Sequence, residues 1–333
     1  MKAFLVGYYG YGNTGDDICL SKTKALLKQA YESSDVLVLS RYSHSQDKCI
    51  YRWNPWAILR AMLCVDMVVF GGGGLLQNVT SNRSLVYYLS IMSLARLFRK
   101  PVIFLAQGIG PINGRLITFL TRYYLSFVTK ATVRSEEAMT YFPSQTQKNV
   151  TLACDLAFYK APFFKKDATT MSRMIGINLC VDDSLRIIQR FINSLKKESL
   201  IIHGLSFCNT KDRGLLMACG LNSETIFSID EATYYTKNNP YDYIIAMRYH
   251  ACIWAAIQGL PFIAIGYDRK VNHIASVFNQ PIVNIDEAMI SSSLLESVKN
   301  ITSNYEFYQD NILKKRHELK DVAMLHERVF NER

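Results

Sequence analysis

Long uninterrupted apolar runs are missing from this sequence. The most hydrophobic stretch, roughly residues 57 to 76, carries Arg60 and Asp66 and ends in four glycines. That excludes a membrane span. The opening "MKAFLVGYYG" holds an apolar run too short for the core of a secretion signal, so the expected location is the cytoplasm. The eight cysteines, Cys19, Cys49, Cys64, Cys154, Cys180, Cys208, Cys219 and Cys252, contain no C-x-x-C pair, and no histidine stands at metal-ligand spacing from them. Most fall in apolar runs, where cysteine packs as a small hydrophobe, as expected of a reducing compartment. No paired carboxylates have metal spacing either, so no metal and no cofactor are predicted. Basic residues do not gather into a tract and no nucleic-acid motif is present, which argues against a nucleic-acid partner. No segment has a disordered composition.

What is present is ample apolar material, 49% of 333 residues, enough for two domains of about 150 to 180 residues each. Positive charge is divided unevenly. Residues 1–160 hold 18 Lys and Arg against 9 Asp and Glu, a net of +9; residues 161–333 hold 20 against 19, a net of +1. Within the first half, "YYLSIMSLARLFRK" and "GRLITFLTRYYLSFVTKA" mix apolar and aromatic residues with Arg and Lys. Such segments suit contact with anionic lipid or an anionic acceptor, and equally the solvated faces of buried helices.

Apolar runs alternate with helix-period segments along the whole chain. Strands are predicted at 3–8, 35–40, 66–70, 101–106, 131–134, 150–153, 174–179, 199–203, 225–228, 242–246, 262–265 and 281–284, with helices over 17–31, 85–99, 114–129, 183–197 and 251–258. This alternation predicts an α/β protein, with parallel sheets covered by helices on both faces. The polar, Pro-containing stretch 159–173 reads as a linker. Two doubly wound, Rossmann-like domains, 1–160 and 161–333, facing each other across a cleft are the simplest architecture.

In such sheets ligands bind at the carboxyl ends of strands. Three glycine-rich loops lie there: Gly10-Tyr11-Gly12-Asn13-Thr14-Gly15, "GGGGLLQ" with Gly72, Gly73 and Gln77, and "QGIGP" with Gln107 and Gly108. The first is formally a dinucleotide fingerprint, but strand two ends in Arg41 rather than the carboxylate that a ribose requires. The following helix also opens with Asp16-Asp17, which would compete with a pyrophosphate for the helix N-terminus. One of the two carboxylates is expected to cap the helix and the other to be exposed at the sheet edge, able to take a proton from a sugar hydroxyl. Cations stand at other strand ends. Arg134 is followed by Ser135 and Glu136-Glu137, Arg248 and His250 share a side if extended, and Arg269 and Lys270 follow "PFIAI". Together they suit a small, doubly anionic ligand, since Arg grips carboxylate or phosphate and Lys adds a point charge.

Taken together, "GYYGYGNTGDD", "GGGGLLQNVTSNRS", "AQGIGPI", "TVRSEEA" and "MRYHACIWAAIQGLPFIAIGYDRKV" resemble the polysaccharide pyruvyl transferases, most closely the bacterial cell-wall polysaccharide branch. The resemblance covers nearly the full length with the motifs in the family's order. It implies a GT-B-like fold and transfer of a pyruvyl group from phosphoenolpyruvate onto two hydroxyls of a sugar, forming a ketal. In the bacterial branch the acceptor is commonly an N-acetylmannosamine-type residue of a lipid-linked precursor. If it is attached to a polyprenyl phosphate, the basic first half is expected to be the acceptor-side domain, facing the inner face of the plasma membrane, and the second half to hold the donor. Carried over by motif, Asp16 is the general base. Arg134, Arg248, His250 and Lys270 bind the donor, with His250 also the general acid that protonates the enol methylene. The chain reads Arg134-Ser135 where the family has "VRD", so the helix cap falls to Ser135, and Arg248-Tyr249-His250 where it has "MRLH". The stretch 203–213, "HGLSFCNTKDR", differs from the family's Pro-containing loop, and His203 reads as a structural histidine. Two other readings compete. A GT-B glycosyltransferase using a nucleotide sugar would need a second-domain carboxylate such as Asp268 or Glu231; a non-catalytic scaffold would not need Asp16, Arg134, His250 and Lys270 together.

Overall fold

A computed structural model of the chain describes residues 1–32, 34–42, 48–79, 81–167, 171–181, 185–237, 239–284 and 290–331. The chain divides into two compact units, Met1–Lys160 with Lys320–Arg333, and Ala161–Leu319.

The first unit is built on seven strands: β1 Lys2–Tyr9, β2 Asp35–Ser40, β3 Lys48–Tyr51, β4 Met67–Gly71, β5 Val102–Gln107, β6 Val128–Val133 and β7 Val150–Leu152. They form one sheet in the order β3-β2-β1-β4-β5-β6-β7, parallel throughout. Runs such as "FLV", "VLVL" and "MVVF" are apolar on both faces because helices cover both faces of a parallel sheet. These helices are α1 Thr14–Ala30, α2 Pro55–Cys64, α3 Asn82–Leu97, α4 Arg115–Leu125, and the short α5 Glu136–Thr140 and α6 Ser144–Gln147. Their starts follow local chemistry. Asn13, Asn54 and Ser81 each accept a backbone N–H of the next turn, and Pro55 opens α2 with no donor to waste.

The second unit repeats the plan with β8 Met174–Asn178, β9 Ile201–Ser206, β10 Ile226–Ser228, β11 Tyr243–Ala246, β12 Phe262–Gly266 and β13 Ile282–Asn284. Their order is β10-β9-β8-β11-β12-β13, again parallel. Around this sheet are α7 Leu185–Lys197, α8 Asp212–Ala218, α9 Glu231–Tyr234, α10 Tyr249–Gln258, α11 Arg269–Val277 and α12 Ile290–Ser303. Helix α13, Tyr305–Met324, leads back into the first unit, where α14 spans Arg328–Asn331. Both sheets therefore reverse direction at one place, between β1 and β4 and between β8 and β11, and that is where doubly wound sheets bind ligands.

Two features depart from the sequence reading. Strand β3 was not expected. It is a four-residue edge strand with no buried side chain, so it lacks the apolar run that marks its neighbours. The second domain was expected to run to residue 333, whereas residues 320–333 belong to the first unit. The segment is held by polar and apolar contacts. His326 is fully buried with Nδ1 2.8 Å from Thr132 Oγ1 on β6, and Glu327 accepts from the Tyr159 hydroxyl at 2.7 Å. Ala323 and Val329 are buried, and Phe330 meets the Tyr31 ring edge-on. Part of the predicted linker, 168–170, and the start of the predicted helix 183–197 lie outside the described residues.

Candidate active site

At the switch point of the first unit, the loop after β1 and the loop after β4 are bound into one structure. Tyr9, the last residue of β1, is buried and donates its hydroxyl to Gly71 O at 2.7 Å. Helix α1 then begins at Thr14, and its cap is Asn13, whose Oδ1 accepts from Gly15 N at 3.2 Å. The expectation that Asp16 or Asp17 caps the helix is thus corrected. Both donate their backbone N–H to Asn13 O, at 3.0 and 3.1 Å, and both side chains stand half-buried in the first turn, where a negative charge is favourable. A Cβ built on Gly73 would lie 3.4 Å from Asp16 Oδ1, which puts this carboxylate against the four-glycine loop. Gly12 is exposed, with open space where a Cβ would stand.

That loop is held from the β5 side. Gln107, fully buried, donates Nε2 to Phe70 O at 3.2 Å and Gly72 O at 2.8 Å, and Gly108 N donates to Gly73 O at 2.9 Å. Gln107 is therefore a brace for the loop and not an exposed cleft residue. Gly72 has φ +70°, and a Cβ there would come within 2.5 Å of Cys19 Sγ, so only glycine fits. Gln77 turns its side chain inward on its own loop, accepting from Val79 N at 2.8 Å.

Arg134, directly after β6, makes a buried ion pair, Nη1 to Asp155 Oδ2 at 2.8 Å, with its side chain 9% exposed and that of Asp155 fully buried. Asp155 also caps the turn at Leu156–Phe158 through Ala157 N, at 3.0 Å. A Cβ on Gly108 would lie 2.9 Å from Arg134 Nη2, and one on Gly74 3.6 Å from it. The guanidinium thus backs both glycine loops, and the absence of a side chain at Gly108 makes room for it. Ser135 caps α5 as the sequence predicts, accepting from Ala138 N at 3.3 Å.

At the switch point of the second unit a buried polar network forms. Arg248 follows β11 and is the N-cap residue of α10, and its own side chain makes no capping bond. Its Nε lies 2.8 and 2.9 Å from the two oxygens of Asp212 and its Nη2 2.5 Å from Oδ1. Asp212, fully buried in the first turn of α8, also accepts from Phe207 N, Cys208 N and Asn178 Nδ2 at 2.9, 3.1 and 3.2 Å. Asn178, the last residue of β8, in turn accepts from Arg248 N at 3.0 Å. Burial works against the charge on Arg248, but the Asp212 carboxylate outweighs it and holds the guanidinium above its ordinary pKa. Asp212 and Asn178 escaped the sequence reading. The only signal was an aspartate in "NTKDR" and an asparagine closing a strand.

His250 sits in the first turn of α10, with its carbonyl accepting from the Tyr234 hydroxyl at 3.0 Å and its ring edge-on to Tyr249. The expected strand-like pairing of Arg248 with His250 does not occur, because the helix begins at Tyr249. Lys270 is exposed near the start of α11. Its Nζ lies 3.0 Å from Asp268 Oδ2, while Asp268 caps the helix through Lys270 N, also at 3.0 Å. Glu231 is exposed in α9, and His203 packs on Phe227 and Tyr241 inside β9. The expected site residues are thus divided: Asp16 and Arg134 with the glycine loops in the first unit, Arg248, His250 and Lys270 in the second.

The protein-family model described as polysaccharide pyruvyl transferase matches residues 13–269. Comparison with curated protein sequences finds no match. Among solved structures, the chain is similar to Anabaena HepE in complex with UDP-glucose, at 10% identity and TM-score 0.65, covering 99% of this chain and 98% of that one. It is also similar to a glycosyltransferase from Rickettsia africae, at 10% identity and TM-score 0.60, covering 100% and 99%. A third similar structure is UDP-GlcNAc 2-epimerase from Neisseria meningitidis bound to UDP-GlcNAc, at 12% identity and TM-score 0.63, covering 98% of each chain. At such identities these likenesses establish the two-unit GT-B fold and nothing finer.

Proposed function

The chain belongs to the polysaccharide pyruvyl transferase family, and from that premise we propose that it moves a pyruvyl group from phosphoenolpyruvate to two hydroxyls of a sugar, closing a ketal at the donor's C2 as its bond to the phosphate oxygen breaks and inorganic phosphate leaves. The family match carries this reading, because it spans Asp16, Arg134, Arg248 and His250 and ends one residue short of Lys270. The chemistry accounts for the residue types. Phosphoenolpyruvate carries a phosphate and a carboxylate, and its carbon becomes electrophilic only when the methylene is protonated. His250, in the first turn of α10 beside Arg248, supplies that proton near a helix end that favours anions. Lys270 adds positive charge, and the Asp212 carboxylate fixes the Arg248 guanidinium in place. Asp16, against the glycine loop of the first unit, accepts the proton of the attacking hydroxyl.

The acceptor is a polysaccharide or its lipid-linked precursor, and the first unit is the acceptor side. Between Asp66 and Glu136 the sequence has no carboxylate side chain and eight Lys and Arg. Along α4, Arg115, Leu116, Phe119, Arg122 and Tyr123 are all exposed. Beside it, Arg96 lies over the Phe127 and Tyr123 rings, with Cζ 3.6 and 5.0 Å from their centroids. A helix face that interleaves rings and cations suits the headgroup region of an anionic leaflet. Among the described residues no helix is long and apolar enough to cross a membrane. Flotation with anionic but not zwitterionic vesicles is expected, and failure to float with either removes this contact.

The donor is tested by titration calorimetry with phosphoenolpyruvate and, separately, with UDP. Binding of phosphoenolpyruvate that His250→Ala and Lys270→Ala both weaken is expected. Binding of UDP alone would transfer the chain to nucleotide-sugar chemistry.

A further inference from the structure

The proposed chemistry leaves unused one cluster in the first unit, at the carboxyl ends of β1, β2 and β3. Arg52 directly follows β3 and is 4% exposed. Its backbone is fixed on both sides: its N–H donates to Ser40 O at 3.0 Å, and its carbonyl accepts the Tyr87 hydroxyl at 2.8 Å. The guanidinium lies among aromatic rings. Its Cζ is 4.9 Å from the Tyr87 centroid, 5.4 Å from Tyr11, 5.5 Å from Trp53, and 5.8 Å from both Tyr8 and Tyr88. Nη2 reaches the Tyr88 hydroxyl at 3.4 Å, whereas Nε and Nη1, both buried, have no hydrogen-bond partner among the described residues.

The charge itself is compensated locally but two of its donors are not. A guanidinium stays charged at every physiological pH, and burial works against that charge. Among the described residues it is Tyr88, Tyr11 and Tyr87, not a carboxylate, that outweigh burial and hold Arg52 above its ordinary pKa. That still leaves Nε and Nη1 without an acceptor. Buried donors are almost always satisfied in folded proteins, so two on one cation point to a bound anion. The surroundings say what carries the anion. Tyr8 and Tyr11 stack at 3.9 Å with planes 4° apart, Trp53 is largely exposed, and Arg41 lies at the rim, 5.1 Å from the Tyr11 centroid. Flat, partly exposed rings with polar tips accept the C–H face of a pyranose. Tyr88 feels the charges of both Arg52 and Asp16, so the cluster adjoins the candidate base.

We infer that this cluster is an acceptor subsite for an anionic sugar, whose phosphate or carboxylate pairs with Arg52 while its ring lies on Tyr8, Tyr11 and Trp53. The inference rests on the first unit being the acceptor side. Two sources share the chemistry: the phosphate that joins a saccharide to a carrier lipid, and the carboxylate of a uronic acid.

The test is titration of the full chain with a hexose 1-phosphate, a hexuronic acid and a neutral hexose, without phosphoenolpyruvate, followed by tryptophan fluorescence and calorimetry. At least one anionic sugar is expected to bind well below the concentration needed for the neutral one. The better of the two names the source. Arg52→Gln and Trp53→Ala are each expected to weaken that binding about tenfold or more and to leave phosphoenolpyruvate binding as it is. Trp53 is exposed, so its variant folds even where the Arg52 variant does not. Failure of all three sugars to bind, equal binding of the neutral hexose, or Trp53→Ala without effect overturns the subsite. Loss of phosphoenolpyruvate binding in the unaltered protein, with sugar phosphate still bound, would strike the donor reading and leave the subsite standing.

Discussion

Among the described residues, each unit contains a buried arginine–aspartate pair whose arginine stands just after a strand, and the two pairs stand in different positions. Arg134 follows β6, away from the switch point, and its pair with Asp155 backs the glycine loops that hold Asp16. Arg248 follows β11 at the switch point itself, and its pair with Asp212 sets an arginine at the start of the helix that carries His250. The same device therefore shapes a loop in one unit and presents a cation in the other. Strand order already sets the two arginines apart, since β11 borders the switch point of its sheet and β6 lies two strands beyond the switch-point strand β4.

The largest effect that tests this contrast is on turnover. If the first unit supplies the base, Asp16→Asn lowers the rate of phosphate release from phosphoenolpyruvate by about 100- to 10,000-fold with the melting temperature unchanged. A rate within a few-fold of the unaltered enzyme would move the base elsewhere. Next come the pairs themselves. Asp155→Asn and Asp212→Asn each leave a buried guanidinium uncompensated, at a cost of about 3–5 kcal/mol in denaturant unfolding. The Asp212 variant is expected to lose phosphoenolpyruvate binding as well; if it binds normally, Arg248 does not face the donor.

A smaller effect separates the units by pH. His326 is wholly buried in the first unit, and burial pushes its imidazole down to about 4 from an ordinary 6.5. The unfolded chain takes up this proton first as the pH falls. The stability is therefore fully present above about pH 6.5 and is lost on the way down to 4, to a total of about 3 kcal/mol. Unfolding midpoints measured across that window should fall, and His326→Gln should flatten the slope. The smallest effect belongs to the exposed pair Asp268–Lys270, where Asp268→Asn should change stability by no more than about 1 kcal/mol.

Much of the architecture was legible because a parallel sheet buries strands on both faces, so "MVVF", "VIFLA" and "FIAI" announce themselves. Strand β3 did not, since an exposed four-residue edge leaves no apolar signature. The glycine loops were legible by composition, but the division of labour within them was not. Asn13 took the cap expected of an aspartate, and Gln107 proved a buried brace. Partners Asp155 and Asp212 lie 21 and 36 residues from their arginines, and no local pattern connects residues that only the strand order brings together. The return of residues 320–333 rests on a few scattered positions, the buried His326, Ala323 and Val329, Glu327, and Phe330 against Tyr31, too few to stand out as a pattern in the sequence.

That return orders events during synthesis. Thr132 waits for a partner 194 residues further along the chain, and the whole of Ala161–Leu319 must emerge first. The first unit is thus begun early and completed only after the second has been made. Nascent chains stopped within the second unit should carry the seven-stranded sheet without its histidine peg, and pulse-labelled proteolysis should find them more readily cut around β6 than full-length chains.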